Sequence, residues 1–153
     1  MCSTMGIKEN IEYLEKSIPD NVKLLAVSKT KPLEYLEEAY QCGVRDFGEN
    51  YVQELVEKYE KFHKDVRWHL IGHLQTNKVK YLVNKVFLIH SLDSLNLLNM
   101  IEKVFGKADK TADTLIQINI GREESKTGIL EEDLEDFIAE IEKCHHVYVK
   151  GIM

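Results

Sequence analysis

Residues 24 to 32 read LLAVSKTKP. An apolar run, Leu24 to Val27, passes directly into Ser28 and Lys29. Pro32 then stops the extended pattern and suits the first turn of a helix. The stretch is the junction of a buried strand with a helix, and the same junction recurs along the chain. Short apolar runs occupy residues 23–28, 44–47, 66–71, 86–90, 114–119 and 147–153. Segments of helical period lie between them, over 32–41, 51–63, 75–83, 92–105 and 131–144. An extra helix precedes them all, with Ile7, Ile11, Leu14 and Ile18 on one face and Pro19 as its stop. Gly43 and Gly106 suit helix C-terminal caps. Glu131, Glu132 and Asp133 put negative charge at a helix N-terminus, where the macrodipole favours it.

The pattern is α followed by (βα)₅β, which implies a parallel sheet with right-handed crossovers. Such a sheet is either open and doubly wound or curled into a barrel. No GxGxxG follows the first strand, which counts against a dinucleotide-binding fold. A complete eight-unit barrel takes about 250 residues, and this chain of 153 stops as its sixth strand ends. It reads as most of a barrel, one domain over 1–153, cut short. Two sheet edges would then stay unpaired, which promotes association. No internal repeat, low-complexity tract or linker interrupts it.

Bulk composition narrows the function. The chain is 44% apolar and 30% charged, as soluble globular proteins are. Its net charge of −6 argues against a nucleic-acid binder. No apolar run approaches the roughly 18 residues of a membrane span, and the amino terminus carries no signal peptide pattern. Cys2, Cys42 and Cys144 are widely spaced without a CxxC, which reads as reduced thiols in a cytoplasmic protein.

Ligands in either architecture bind at the carboxyl ends of the strands. Strand one delivers Ser28, Lys29 and Thr30 there, and strand two Gly48, Glu49, Asn50 and Tyr51. Strand three gives Gly72, His73, Gln75 and Asn77, and strand four His90, Ser91 and Asp93. Strand five brings Asn119, with Glu123 and Lys126 in its loop. Lys29 is either a solvated loop lysine or an amine that forms a Schiff base with a carbonyl. Partial burial at a barrel mouth, beside other cations, would make such an amine nucleophilic. Asn50 either caps the following helix, contacts a flat heterocycle, or does both. His69 and His73 are four apart, but Leu70 stands where a metalloprotease needs its Glu, and the segment reads as strand then turn. His69 is expected to point into the barrel and bond to neighbouring strand ends. No metal site is expected there or at Cys144, His145 and His146. GREESKTG, residues 121–128, lacks the residue order of a P-loop.

In order and spacing, AVSKTKP, FGENYVQE, WHLIGHLQTNK, HSLD, INIGREESKTG and KGIM resemble the YggS/PROSC-like pyridoxal phosphate homeostasis proteins, from about Val22 to Met153. The resemblance implies a (β/α)8 TIM-type barrel similar to the amino-terminal domain of alanine racemase, with pyridoxal 5′-phosphate (PLP) at the rim. It makes Lys29 the Schiff-base lysine and puts Asn50 near the cofactor ring. His69, Gly72, Gln75, Asn77 and Lys78 would surround the pocket mouth. It implies a PLP carrier or homeostasis factor without an established catalytic turnover, with PLP-dependent apoenzymes as partners. Chains of the family continue through two further βα units that carry the phosphate-binding turns. The 153 residues are therefore expected to be a fragment that binds PLP poorly. The alternative is a PLP-dependent amino-acid racemase. It needs an acid–base group on each face of the substrate carbon, and alanine racemase draws one of them from a separate β domain. An aldolase-like barrel is a third reading, but its motifs do not match.

Overall fold

The computed structural model describes residues 6–122 and 127–153. Helix α1 (Ile7–Ser17) comes first. Then follow β1 (Ala26–Val27), α2 (Leu33–Gln41), β2 (Asp46–Glu49), α3 (Val52–Lys61) and β3 (Arg67–Leu70). A 3₁₀ helix (Thr76–Leu82) leads to β4 (Val86–Leu92), α4 (Leu95–Lys107), β5 (Ala112–Ile116), a 3₁₀ turn (Glu131–Asp133), α5 (Leu134–Glu142) and β6 (Val147–Ile152). The six strands form one sheet in the order β1-β2-β3-β4-β5-β6, every neighbour parallel. Each strand lies beside its predecessor, with no point at which the order reverses. That is the wall of a barrel and not a doubly wound sheet, which needs such a reversal. β1 and β6 are each paired on one side only among the described residues.

The helix-facing side of the sheet is the core. Phe47, Trp68, Leu70 and Ile89 are each at most 1% exposed. The Phe62 ring, at the end of α3, stands edge-on to both Phe47 and Trp68, with centroids 5.8 and 6.1 Å away, an arrangement aromatic quadrupoles favour. No helix among the described residues is long and apolar enough to cross a membrane.

Three local readings change and one holds. The segment over 75–83 is a 3₁₀ helix, because its buried residues Val79 and Leu82 are three apart and so stack in line at three residues per turn. Gly106 lies inside α4 and does not cap it; a Cβ there would meet the His146 ring at 3.1 Å, so packing claims the position. Gly43, with φ of 100°, does follow the end of α2. Leu14 is exposed, because α1 packs mainly against α2 and Ile11 is its one buried residue.

A buried charge network and a rim cleft

The backbone beyond β1 turns sharply. Lys31 N–H donates to the Ser28 carbonyl at 3.1 Å, and Thr30 sits at φ of 61°. Lys29 lies in this turn, exposed, and its side chain makes no hydrogen bond or ion pair among the described residues. The partial burial expected of it is not found among the described residues, since the strand ends two residues earlier.

Beneath the turn lies a network that sequence reasoning missed. Glu49 ends β2 and points to the helix side, fully buried. Glu54 and Lys58 are one turn apart on α3, which brings both to the same face. Lys58 Nζ donates to Glu49 Oε2 at 3.0 Å, Glu54 Oε2 at 2.8 Å and the Ser28 carbonyl at 2.7 Å. Ser28 Oγ donates to Glu49, and Thr30 N–H to Glu54 Oε2 at 2.7 Å. Burial pushes the Glu49 carboxyl up, against the bonds from Ser28 and Lys58. For Glu54 burial pushes the same way, but Lys58 and the Thr30 N–H prevail and hold it below the usual range. Glu49 Oε1 has no partner among the described residues. The one sequence signal was the Glu54–Lys58 spacing, which equally describes a solvated helix face.

A second network occupies the barrel interior. Arg67 donates twice to Asp46, at 2.9 and 2.7 Å, the fork geometry that suits a carboxylate. His69 Nε2 lies 2.9 Å from Asp46 Oδ1 and its Nδ1 lies 2.9 Å from His90 Nε2. Asp46 can only accept, so His69 donates through Nε2 and receives the His90 N–H at Nδ1. The pairing of β4 with its neighbours is irregular between Trp68 and His69 and again between Ile89 and Leu92, and such bulges re-aim side chains. His69 points inward and bonds to both neighbouring strands as expected, to His90 on β4 and to Asp46 at the start of β2. Burial pushes both imidazoles down, His90 from 6.5 to about 4. Burial alone would raise Asp46; Arg67 and His69 hold it low.

This fixes a pH dependence. A His90 that takes its proton near pH 4 when folded and near 6.5 when unfolded leaves its stability contribution intact at neutral pH. The contribution drains away as pH falls between those values, because the unfolded chain binds the proton first. Urea unfolding should show the unaltered chain losing roughly 2 kcal/mol more than His90→Gln between neutral pH and about pH 5. Parallel losses would show that His90 titrates normally.

A cleft of about 560 Å³ opens at the rim between α3 and the 3₁₀ helix, lined by Asn50, Tyr51, Gly72, His73, Gln75 and Lys78 among others. It gathers the predicted Asn50, Gly72 and Gln75. Asn77 is exposed in the 3₁₀ helix and does not line it, and neither do Lys29 and His69. Asn50 is not the cap of α3: Tyr51 holds that position, without a side-chain bond. Gly72 is where two backbones touch, since a Cβ there would lie 2.4 Å from the Asn50 carbonyl oxygen. His73 Nδ1 reaches the buried Asp93 at 3.2 Å, so the two histidines of WHLIGH serve separate partners. Ser91 Oγ is buried without a partner among the described residues, and Asn119 N–H bonds the Ile129 carbonyl at 2.9 Å. Glu123, Lys126 and Cys2 lie outside the described residues. No group of three metal-ligating side chains occurs among the described residues.

Residues 3–153 match the family model for the alanine racemase N-terminal domain. The pyridoxal phosphate homeostasis protein of Pasteurella multocida is 38% identical over 97% of this chain and 70% of its own length. The chain belongs to this family. The pyridoxal phosphate homeostasis protein of Aquifex aeolicus is 48% identical over 86% of this chain, which spans 58% of that relative. Among solved structures, the family member PipY of Synechococcus elongatus matches 96% of this chain and 69% of its own. Its TM-score is 0.90 without PLP and 0.88 with PLP bound, at 33% and 32% identity. Clostridium difficile alanine racemase, at 14% identity and a TM-score of 0.80 over 95% of this chain and 38% of its own, shares the fold. The barrel expected from the homeostasis family is thus the observed one, present as six strands.

Proposed function

We propose that this chain binds PLP through the Lys29 amine and serves PLP homeostasis, handing the cofactor to apoenzymes in the cytoplasm without a turnover of its own. The observation that carries the reading is the likeness to PipY, a structure solved with PLP bound, over 96% of this chain. The residues fit the group. Lys29 offers an amine unengaged among the described residues at the carboxyl end of β1, where barrels bind ligands. Asn50 and Gln75 supply amides, and Lys78 a cation, in the neighbouring cleft. Bound PLP supplies an aldehyde that an amine can attack. Lys29 would hold it covalently, and Asn50 and Gln75 would orient the ring. Gly72 keeps the cleft open by lacking a Cβ. His69, engaged on both nitrogens, supports the strand ends from within. Free Cys42 and Cys144 agree with a reducing compartment.

The test is titration to millimolar PLP, borohydride reduction and peptide mapping, on the chain and on Lys29→Ala. The reduced label should sit on Lys29 and vanish in the variant, with no exchange of the α proton of alanine in heavy water. Label spread evenly over exposed lysines, or unchanged by Lys29→Ala, would refute the assignment.

A further inference from the structure

Two charged side chains of α3 bond the backbone on both sides of the exposed Lys29. Lys29 makes no side-chain hydrogen bond or ion pair among the described residues, so its direction is set by the backbone on either side. Both flanking groups are held from α3. The Ser28 carbonyl receives Lys58 Nζ at 2.7 Å, and the Thr30 N–H donates to Glu54 Oε2 at 2.7 Å. Thr30 has φ of 61°, a conformation β-branched residues avoid unless their surroundings impose it. The strand before the turn is only two residues long and, among the described residues, pairs with β2 alone, so it cannot impose that conformation unaided. Glu54 and Lys58 are themselves joined at 2.8 Å, and Lys58 is anchored to buried Glu49.

We propose that Lys58 and Glu54 are positioning residues that clamp the 28–31 turn and so present the Lys29 amine to an aldehyde at the rim. The inference rests on the PLP reading above. In the step served, neutral Lys29 Nζ attacks the aldehyde carbon and a carbon–nitrogen double bond forms. The aldehyde oxygen leaves as water with the two amine protons, and nothing is oxidised or reduced. Misplacing a reacting group by about 1 Å can cost on the order of a hundredfold in rate. A clamp on both flanks of one residue is what prevents such misplacement.

Lys31 is exposed in the same turn and serves as an internal reference. The full chain, Lys58→Met, Glu54→Ala and Glu54→Gln are treated with PLP and borohydride, and the ratio of label on Lys29 to label on Lys31 is read. Lys58→Met and Glu54→Ala should lower that ratio about tenfold. Glu54→Gln keeps an acceptor for the Thr30 N–H and should restore most of it. Ile101→Val, a core change in α4, should leave it unaltered. Hydrogen exchange read without PLP should quicken about tenfold at Thr30 and Lys31 in the first two variants, relative to β3. If Lys58→Met does not fold, Glu54→Ala decides. A selective ratio that Glu54→Ala leaves intact, or unchanged exchange at Thr30, overturns the clamp while the PLP reading stands. An unselective ratio in the unaltered chain overturns the PLP reading, and with it the purpose assigned to the clamp.

Discussion

Lys58→Met is expected to lower the unfolding free energy by about 3–5 kcal/mol, the range for removing one partner of a buried ion pair. The reason is Glu49. Its carboxylate is 0% exposed, and its charge is matched by Lys58 at 3.0 Å. Without Lys58 the nearest remaining donor to that carboxylate is Ser28 Oγ, and the Ser28 carbonyl loses its side-chain donor as well. Glu49→Gln on the Lys58→Met background should recover at least half of the loss, because a neutral amide needs no cation. The two changes must therefore be strongly non-additive in urea unfolding. The single variant should also show a larger pH response at Glu49, of the same sign as in the unaltered chain. A carboxyl whose folded pKa lies above its unfolded value, as burial drives Glu49, loses stability as pH rises from about the ordinary 4.5 toward the folded value. Deleting the compensating cation widens that window, so Lys58→Met should gain stability on mild acidification relative to the unaltered chain. Additive losses with no such response would mean that water or a shifted side chain already solvates Glu49.

Gly72→Ala is expected to cost about 1–3 kcal/mol, as overpacking does, with the value toward the upper end. A Cβ at Gly72 would lie 2.4 Å from the Asn50 carbonyl oxygen, 2.9 Å from its Cα and 3.0 Å from its carbonyl carbon. All three are backbone atoms, so no rotamer change relieves the clash, and the β2 and β3 ends must separate. Gly48 is the control on the same sheet. A Cβ there would meet the Ile71 side chain at 3.3 Å and Leu25 at 3.6 Å, contacts that flexible termini can yield. Gly48→Ala should therefore cost below about 1 kcal/mol. The consequence for the site is direct, because Asn50 and Gly72 both line the rim cleft. Gly72→Ala should narrow it and weaken whatever contact Asn50 makes to a ring, while Gly48→Ala leaves it open. Equal losses in the two variants would show that the rim backbone is softer than its packing implies.

The order of elements was legible in the sequence because periodicity is a local property. Alternating apolar runs and helical segments announce strands and helices, and LLAVSKTKP put Lys29 at a strand end, where it is found. What covers that strand end is not local, and the lysine proved exposed rather than partly buried. Two architectures stayed open from the pattern alone, since strand order is a matter of which strand pairs with which. The unbroken order from β1 to β6 decided for the barrel wall. The polar networks were least legible. Lys58 looks like an ordinary helix lysine one turn from a glutamate, and only the sheet packed against α3 buries it on Glu49. His69 could be placed in the interior by alternation along β3, but its bond to His90 follows from irregular pairing along β4. Backbone conformation can be read from neighbours in the chain. The partner of a buried charge is chosen by neighbours in space, and those exist only once the sheet has closed over them.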